Sequence, residues 1–242
     1  MGGGLSNGQP HLLSTAHAMR VAFRVDSSTV LGSGHVMRCL TLAHALKQRS
    51  AEILFISREL AGNMCDHVAA EGFPVVRLPI GSSASKSDTC APQIAVNAES
   101  PWMSWEEDAK LTSRVIEEWG KADWLIVDHY ALDSGWEASL RPSTGQIMVI
   151  DDLADRQHDC DLLLDQNFYE GLDRRYCRLV PGTCRKLLGP KYALLRPEFI
   201  RARANLQERS DAVRRVLIAF GGVDRSNETC LLYTSPSPRD TR

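Results

Sequence analysis

The chain predicts an α/β fold: a Rossmann-like, doubly wound parallel sheet. Two observations carry that reading. Short apolar runs alternate with stretches of helical periodicity along most of the chain. The runs also end in polar clusters, namely Asp26-Ser27-Ser28, Asp128-His129-Tyr130, Asp151-Asp152 and Asp165-Gln166-Asn167. In a parallel sheet the carboxyl ends of the strands share one edge, so these clusters are expected to converge there.

The elements follow in order. Residues 20–25 read as a first apolar strand. Beyond the loop at Gly32-Ser33-Gly34-His35, the residues Val36, Leu40, Ala43 and Leu46 recur at helical spacing. Residues 52–57 are a second strand, 63–71 a helix and 73–78 a third strand. The Ser-, Ala- and Pro-rich stretch 81–104 reads as a loop. Residues 105–119 form an amphipathic helix with Ala109, Thr112, Val115, Ile116 and Trp119 turned inward. A fourth strand at 124–127 precedes a short helix at 136–141. A fifth strand at 146–150 precedes a short sixth at 161–164, and residues 197–207 are helical.

A second unit is expected to open with a strand at 215–220. Gly221-Gly222 follow it, then Ser226 or Asn227 is placed to cap a helix with Glu228 in its first turn. Pro236 and Pro238 break any helix beyond. The expected organisation is therefore a disordered or extraneous leader at 1–18, which has no periodicity and precedes Met19. A first domain spans 19–196, a linker helix 197–214, the opening of a truncated second domain 215–230, and an extraneous tail 231–242.

Bulk properties narrow the function classes. A chain of 242 residues allows one large domain or one and a half. A net charge of -2 gives no sign of a nucleic-acid or anionic-membrane partner. No apolar run approaches the roughly 18 residues of a membrane helix. The seven cysteines include no CxxC pair, which points to reduced thiols and a cytoplasmic setting. His158 and Cys160 lie close together, but two nearby ligands do not make a metal site. Asp155, His158 and Asp159 read as a solvated turn. The expected partner is a small molecule, with no metal, no cofactor and a monomeric chain.

The glycine loop is the most informative stretch. Gly32 and Gly34 let backbone approach a ligand closely. The helix start that follows presents free amide groups and a positive dipole end. His35 falls in that first turn, where the dipole favours a neutral imidazole able to act as a base. Arg38 shares its helix face three residues on, placed either to touch a ligand or to orient Asp26 or Asp152.

Five ordered segments carry a family resemblance: FRVDSSTVLGSGHVMRCLTLA, VDHYALD, IDDLADRQHDCDLLLDQN, LLGPKYALLRPEF and FGGVDRSNET. Together they resemble the UDP-sugar hydrolases of pseudaminic acid biosynthesis. The resemblance implies the N-terminal half of a two-domain, glycosyltransferase-B-like fold with a cleft between two Rossmann-like halves. It also implies hydrolysis of a UDP-linked diacetamido-trideoxy sugar with inversion at the anomeric carbon. His35 falls on the family's general base. Asp26, Ser27, Gly32, Gly34, Arg38, Asp128, Tyr130, Asp152 and Asn167 fall among residues that would hold the sugar. Tyr192 and Arg196 would line the cleft or serve interdomain packing, and Gly221 and Gly222 look like part of the diphosphate loop. The alternatives are an inverting nucleotide-sugar glycosyltransferase and an inactive sugar-binding fragment. This chain by itself is expected to bind uridine nucleotide weakly or not at all.

Overall fold

The structure is a computed structural model that describes residues 18–80, 104–206, 216–220, 224 and 227–234. Its centre is a parallel sheet. The strands are β1 (Arg20–Val25), β2 (Glu52–Arg58), β3 (Val75–Leu78), β4 (Ala122–Asp128), β5 (Thr144–Ile150), β6 (Leu162–Asp165) and β7 (Arg185–Leu188). They lie in the order β3-β2-β1-β4-β5-β6-β7, and each pairs in parallel with its neighbours. The order runs outward in one direction from β1 and in the other from β4. The switch point between those two strands is where an open α/β sheet leaves a crevice.

Period-two alternation sends side chains of one strand to opposite faces. On one face Val21, Phe23 and Val25 of β1 are buried with Val36, Leu40 and Ala43 of helix α1 (Gly34–Lys47). Phe23 stacks on Phe55 there with ring centroids 4.8 Å apart. On the other face Ala22, Leu54 and Ile56 join Ile116 of α3 (Trp105–Trp119) and Trp136 and Leu140 of α4 (Ser134–Leu140). Burying each large apolar side chain stabilises the fold by about 1.5–3 kcal/mol. Ser104 caps α3 by accepting from the Glu107 amide, and Asp133 caps α4 through the Gly135 amide. The remaining helices are α2 (Cys65–Ala70), α5 (Leu172–Arg175), α6 (Pro197–Ala204) and α7 (Glu228–Thr234).

Three expectations need correction. The edge strand β7 was not foreseen, because its four residues begin with exposed Arg185 and Lys186, a composition that suits a guarded sheet edge better than a core strand. Residues 216–220 do not form the expected strand; Val216 and Leu217 are 75% and 93% exposed, and no strand among the described residues pairs with them. His158 is not in a solvated turn but buried, its Nδ1 2.7 Å from Glu137 Oε1. Asp224 accepts from the Glu228 and Thr229 amides and so starts α7, which ends ahead of Pro236. Cys160 and Cys184 are buried free thiols whose Sγ atoms share a hydrogen bond at 3.5 Å. The leader at 1–17, Gly221, Gly222 and the tail from 235 lie outside the described residues.

Candidate active site

The loop after β1 and the end of β4 meet at the switch point. A type of tight closure sets the first of them: Gly32 has φ 79° and its amide donates to the Ser28 carbonyl at 2.8 Å, a backbone state that glycine adopts without strain. A Cβ at Gly34 would meet nothing within 4 Å, so the helix start is open on that side. The next residue, His35, is 7% exposed.

His35 Nδ1 lies 2.5 Å from Asp128 Oδ1. Arg38 donates from Nε to Asp128 Oδ2 and from Nη2 to Asp128 Oδ1, both at 2.6 Å. Its Nη2 also sits 3.1 Å from His35 Nδ1. A nitrogen and a carboxylate oxygen at 2.5 Å share a proton, and the position of that proton follows from Asp128. Burial alone would raise the Asp128 carboxyl, but the hydrogen bonds from Arg38 and the adjoining His35 ring hold it well below the usual carboxylate range. The shared proton therefore belongs to Nδ1, and in the neutral ring Nε2 is the lone-pair nitrogen. Asp128 orients the ring as the carboxylate of a catalytic triad does. The Tyr130 ring stands edge-on to His35, with centroids 4.5 Å apart and an interplanar angle of 86°.

Asp152 borders the same cluster, its Oδ2 3.5 Å from Arg38 Nη1. Its Oδ1 is buried without a hydrogen-bond partner among the described residues. The Asp152 carbonyl is held by Tyr169 Oη at 3.1 Å and Arg175 Nη2 at 2.6 Å. Arg38, expected to orient Asp26 or Asp152, thus orients Asp128 first.

Asp26 and Ser27, expected among the residues that would hold the sugar, both have partners within the protein. Asp26 is buried and taken up by protein partners: Arg24 Nη1 and Nη2 at 2.6 and 3.0 Å, the Arg58 amide at 2.8 Å and His129 Nε2 at 3.2 Å. Ser27 Oγ accepts from the Met64 amide ahead of α2. Asn167 is half-buried behind β6, its amide donating to Asp165 Oδ1. Tyr192 packs against the core beside α1, and Arg196 lies over the Phe199 ring at 5.4 Å. Gly221 and Gly222 fall outside the described residues.

Several structural partners escaped sequence reading. Asp108, in the first turn of α3, accepts from Arg24 Nη2 at 2.7 Å, from Trp136 Nε1 at 2.8 Å, from Arg58 Nε at 3.1 Å and also from Arg58 Nη2. With Asp26 it neutralises two buried guanidiniums and ties β1 and β2 to α3 and α4. Despite burial, Arg24 holds the Asp26 and Asp108 carboxyls well below the carboxylate range. His129 joins this network. Its Nδ1 accepts from the Ala131 amide at 3.0 Å, so Nε2 carries the proton donated to Asp26 and the ring is neutral.

Burial pushes the His129 pKa down from its ordinary value. The unfolded chain, with a histidine near pKa ~6.5, then binds the proton first as the pH falls. Stability is therefore lost on acidification through about pH 6.5 and below. Urea midpoints measured across that range are expected to decline, and His129→Gln should flatten the decline. An equally steep decline in the variant would contradict this assignment.

Among the described residues no group of His, Cys, Asp and Glu is placed to hold a metal ion. No helix among them is long and apolar enough to cross a membrane. No protein-family model matches the chain. The chain is 32% identical over 211 residues to UDP-2,4-diacetamido-2,4,6-trideoxy-beta-L-altropyranose hydrolase of Campylobacter jejuni, covering 86% of this chain and 62% of that one. This chain is a relative of that hydrolase. The resemblance read from the five segments therefore holds, over somewhat less than two thirds of the relative's length. An uncharacterized protein of Methanocaldococcus jannaschii is 24% identical over 88% of this chain and 38% of its own. Among solved structures the chain is similar to Acinetobacter baumannii MurG, with TM-score 0.45 and 9% identity over 70% of this chain and 44% of that one. It is also similar to Arabidopsis thaliana UGT89C1 complexed with quercetin, with TM-score 0.48 and 14% identity over 78% and 56% of the two chains.

Proposed function

We propose that the cleft at the β1–β4 switch point takes the sugar of a UDP-linked diacetamido-trideoxy sugar, and that His35 drives its hydrolysis in a step of pseudaminic acid biosynthesis. The observation that carries this reading is the His35–Asp128 pair at 2.5 Å, in a chain 32% identical over 211 residues to the hydrolase relative. His35 Nε2 takes a proton from water while the water oxygen attacks the anomeric carbon. The bond from that carbon to the diphosphate oxygen breaks, and its electron pair leaves with UDP. Asp128 stabilises the imidazolium formed, and Arg38 keeps Asp128 ionised throughout. Attack opposite the leaving group inverts the anomeric centre. Asp152 Oδ1 and Tyr130 are the groups offered to sugar hydroxyl and acetamido substituents. The leaving diphosphate is already a good anion and calls for positive potential rather than a proton.

The test is UDP release from the UDP-sugar with no added acceptor. It uses the chain alone and the chain joined to the part of the Campylobacter protein beyond the matched region. Acceptor-independent release by either form is the expected result. Release by neither, or release only when an alcohol acceptor is added, would overturn the hydrolase reading.

A further inference from the structure

The turn at 155–159 holds an arginine whose guanidinium reaches four separate groups, three of them beyond the ends of two strands and one in its own turn. Arg156 Nε donates to the Leu132 carbonyl at 2.9 Å, and Nη2 donates to the His129 carbonyl at 2.9 Å. Nη1 lies 3.0 Å from Asp151 Oδ1 and 2.8 Å from Asp155 Oδ1. Only 15% of the side chain is exposed. The two carbonyls bracket Tyr130 in sequence. Between them, the Ala131 amide is taken by His129 Nδ1, and His129 Nε2 is fixed to Asp26. The backbone around Tyr130 is thus tied on both sides, to β1 through His129 and to the end of β5 through Arg156. What this fixes is the Tyr130 ring, edge-on to His35.

We infer that Arg156 is a positioning residue for the site: its guanidinium holds the loop after β4 so that Tyr130 covers the His35 ring and shapes the sugar side of the cleft. A planar fork can reach two carbonyls and a carboxylate at once, whereas a lysine ammonium on a flexible stem cannot hold all three in one plane. The inference rests on the reading of His35 as the base only for its catalytic consequence; the clamp on Tyr130 stands or falls separately.

The readout is the rate at which diethyl pyrocarbonate modifies His35, followed by peptide mass spectrometry on the 242-residue chain. Circular dichroism confirms that each variant is folded. Arg156→Ala is expected to speed modification of His35 several-fold, as is Tyr130→Ala. The double variant should be no faster than Tyr130→Ala, because both changes remove the same cover. Arg156→Lys should fall between wild type and Arg156→Ala, and added guanidinium ion should slow modification of Arg156→Ala. In the form that releases UDP, Arg156→Ala should lower kcat by about ten- to a hundredfold through misplacement of the ring. Additive effects in the double variant, or a His35 rate unchanged by Arg156→Ala, would overturn the clamp. If Arg156→Ala is misfolded, Arg156→Lys carries the test by the same comparison with Tyr130→Ala. A non-additive result together with no UDP release under any condition would retain the clamp and remove the hydrolase reading.

Discussion

His35→Ala is expected to lower UDP-sugar hydrolysis by about 10² to 10⁴ while leaving substrate affinity largely intact. In the proposed reaction the ring's Nε2 takes the proton from water, and the ring's orientation depends on the contact between Nδ1 and Asp128 at 2.5 Å. Asp128→Asn should lower the rate as well, because an amide can donate to Nδ1 and so favour the wrong tautomer. The check is steady-state kinetics of UDP release for both variants. Turnover near the wild-type rate in His35→Ala would remove the residue from the mechanism. A large rise in KM with kcat unchanged would reassign it to binding.

The second large effect is on stability. Asp108→Ala should cost about 3–5 kcal/mol, the range for breaking a buried ion pair by deleting one partner. Asp108 is 1% exposed and faces both Arg24 and Arg58. Without it, two buried guanidiniums share the single carboxylate of Asp26, and the Trp136 indole loses its acceptor. Chemical denaturation should show a lowered midpoint or a chain that no longer folds. Replacing the outer Glu52, whose ion pair with Arg20 is half-exposed, should shift stability by no more than about 1 kcal/mol. Equal costs at the two positions would mean that the buried network does not carry the stability assigned to it.

The parallel sheet was legible because its strands are apolar runs with turn signals at both ends, and the expected convergence of strand-end polar residues brought His35, Asp128 and Asp152 together. What the sequence did not reveal was which polar residue pairs with which. Asp26 and Asp128 both follow apolar strands and look alike in one dimension. The difference lies in Arg24, an in-strand arginine whose partner Asp108 comes from a helix 84 residues away. In sequence Asp108 looks like an acid favoured by the helix dipole at an N-terminus, and only packing turns it inward. His158 was misread for a similar reason, since its acceptor Glu137 is remote in sequence and buried in α4. Strand β7 stayed hidden because an edge strand needs little apolar surface. Arg156 sits among Asp155, Gln157 and Asp159, so its local composition describes a surface turn while its guanidinium reaches inward.

The most direct measurement of the central claim is hydrolysis in water enriched in oxygen-18, with the products read before the sugar mutarotates. Attack by an activated water at the anomeric carbon predicts one labelled oxygen in the free sugar, unlabelled UDP and an initial product of inverted anomeric configuration. Label in the phosphate of UDP would place attack at phosphorus, and a retained anomer would require a covalent sugar intermediate; either result would contradict His35 as the base of a single inverting displacement.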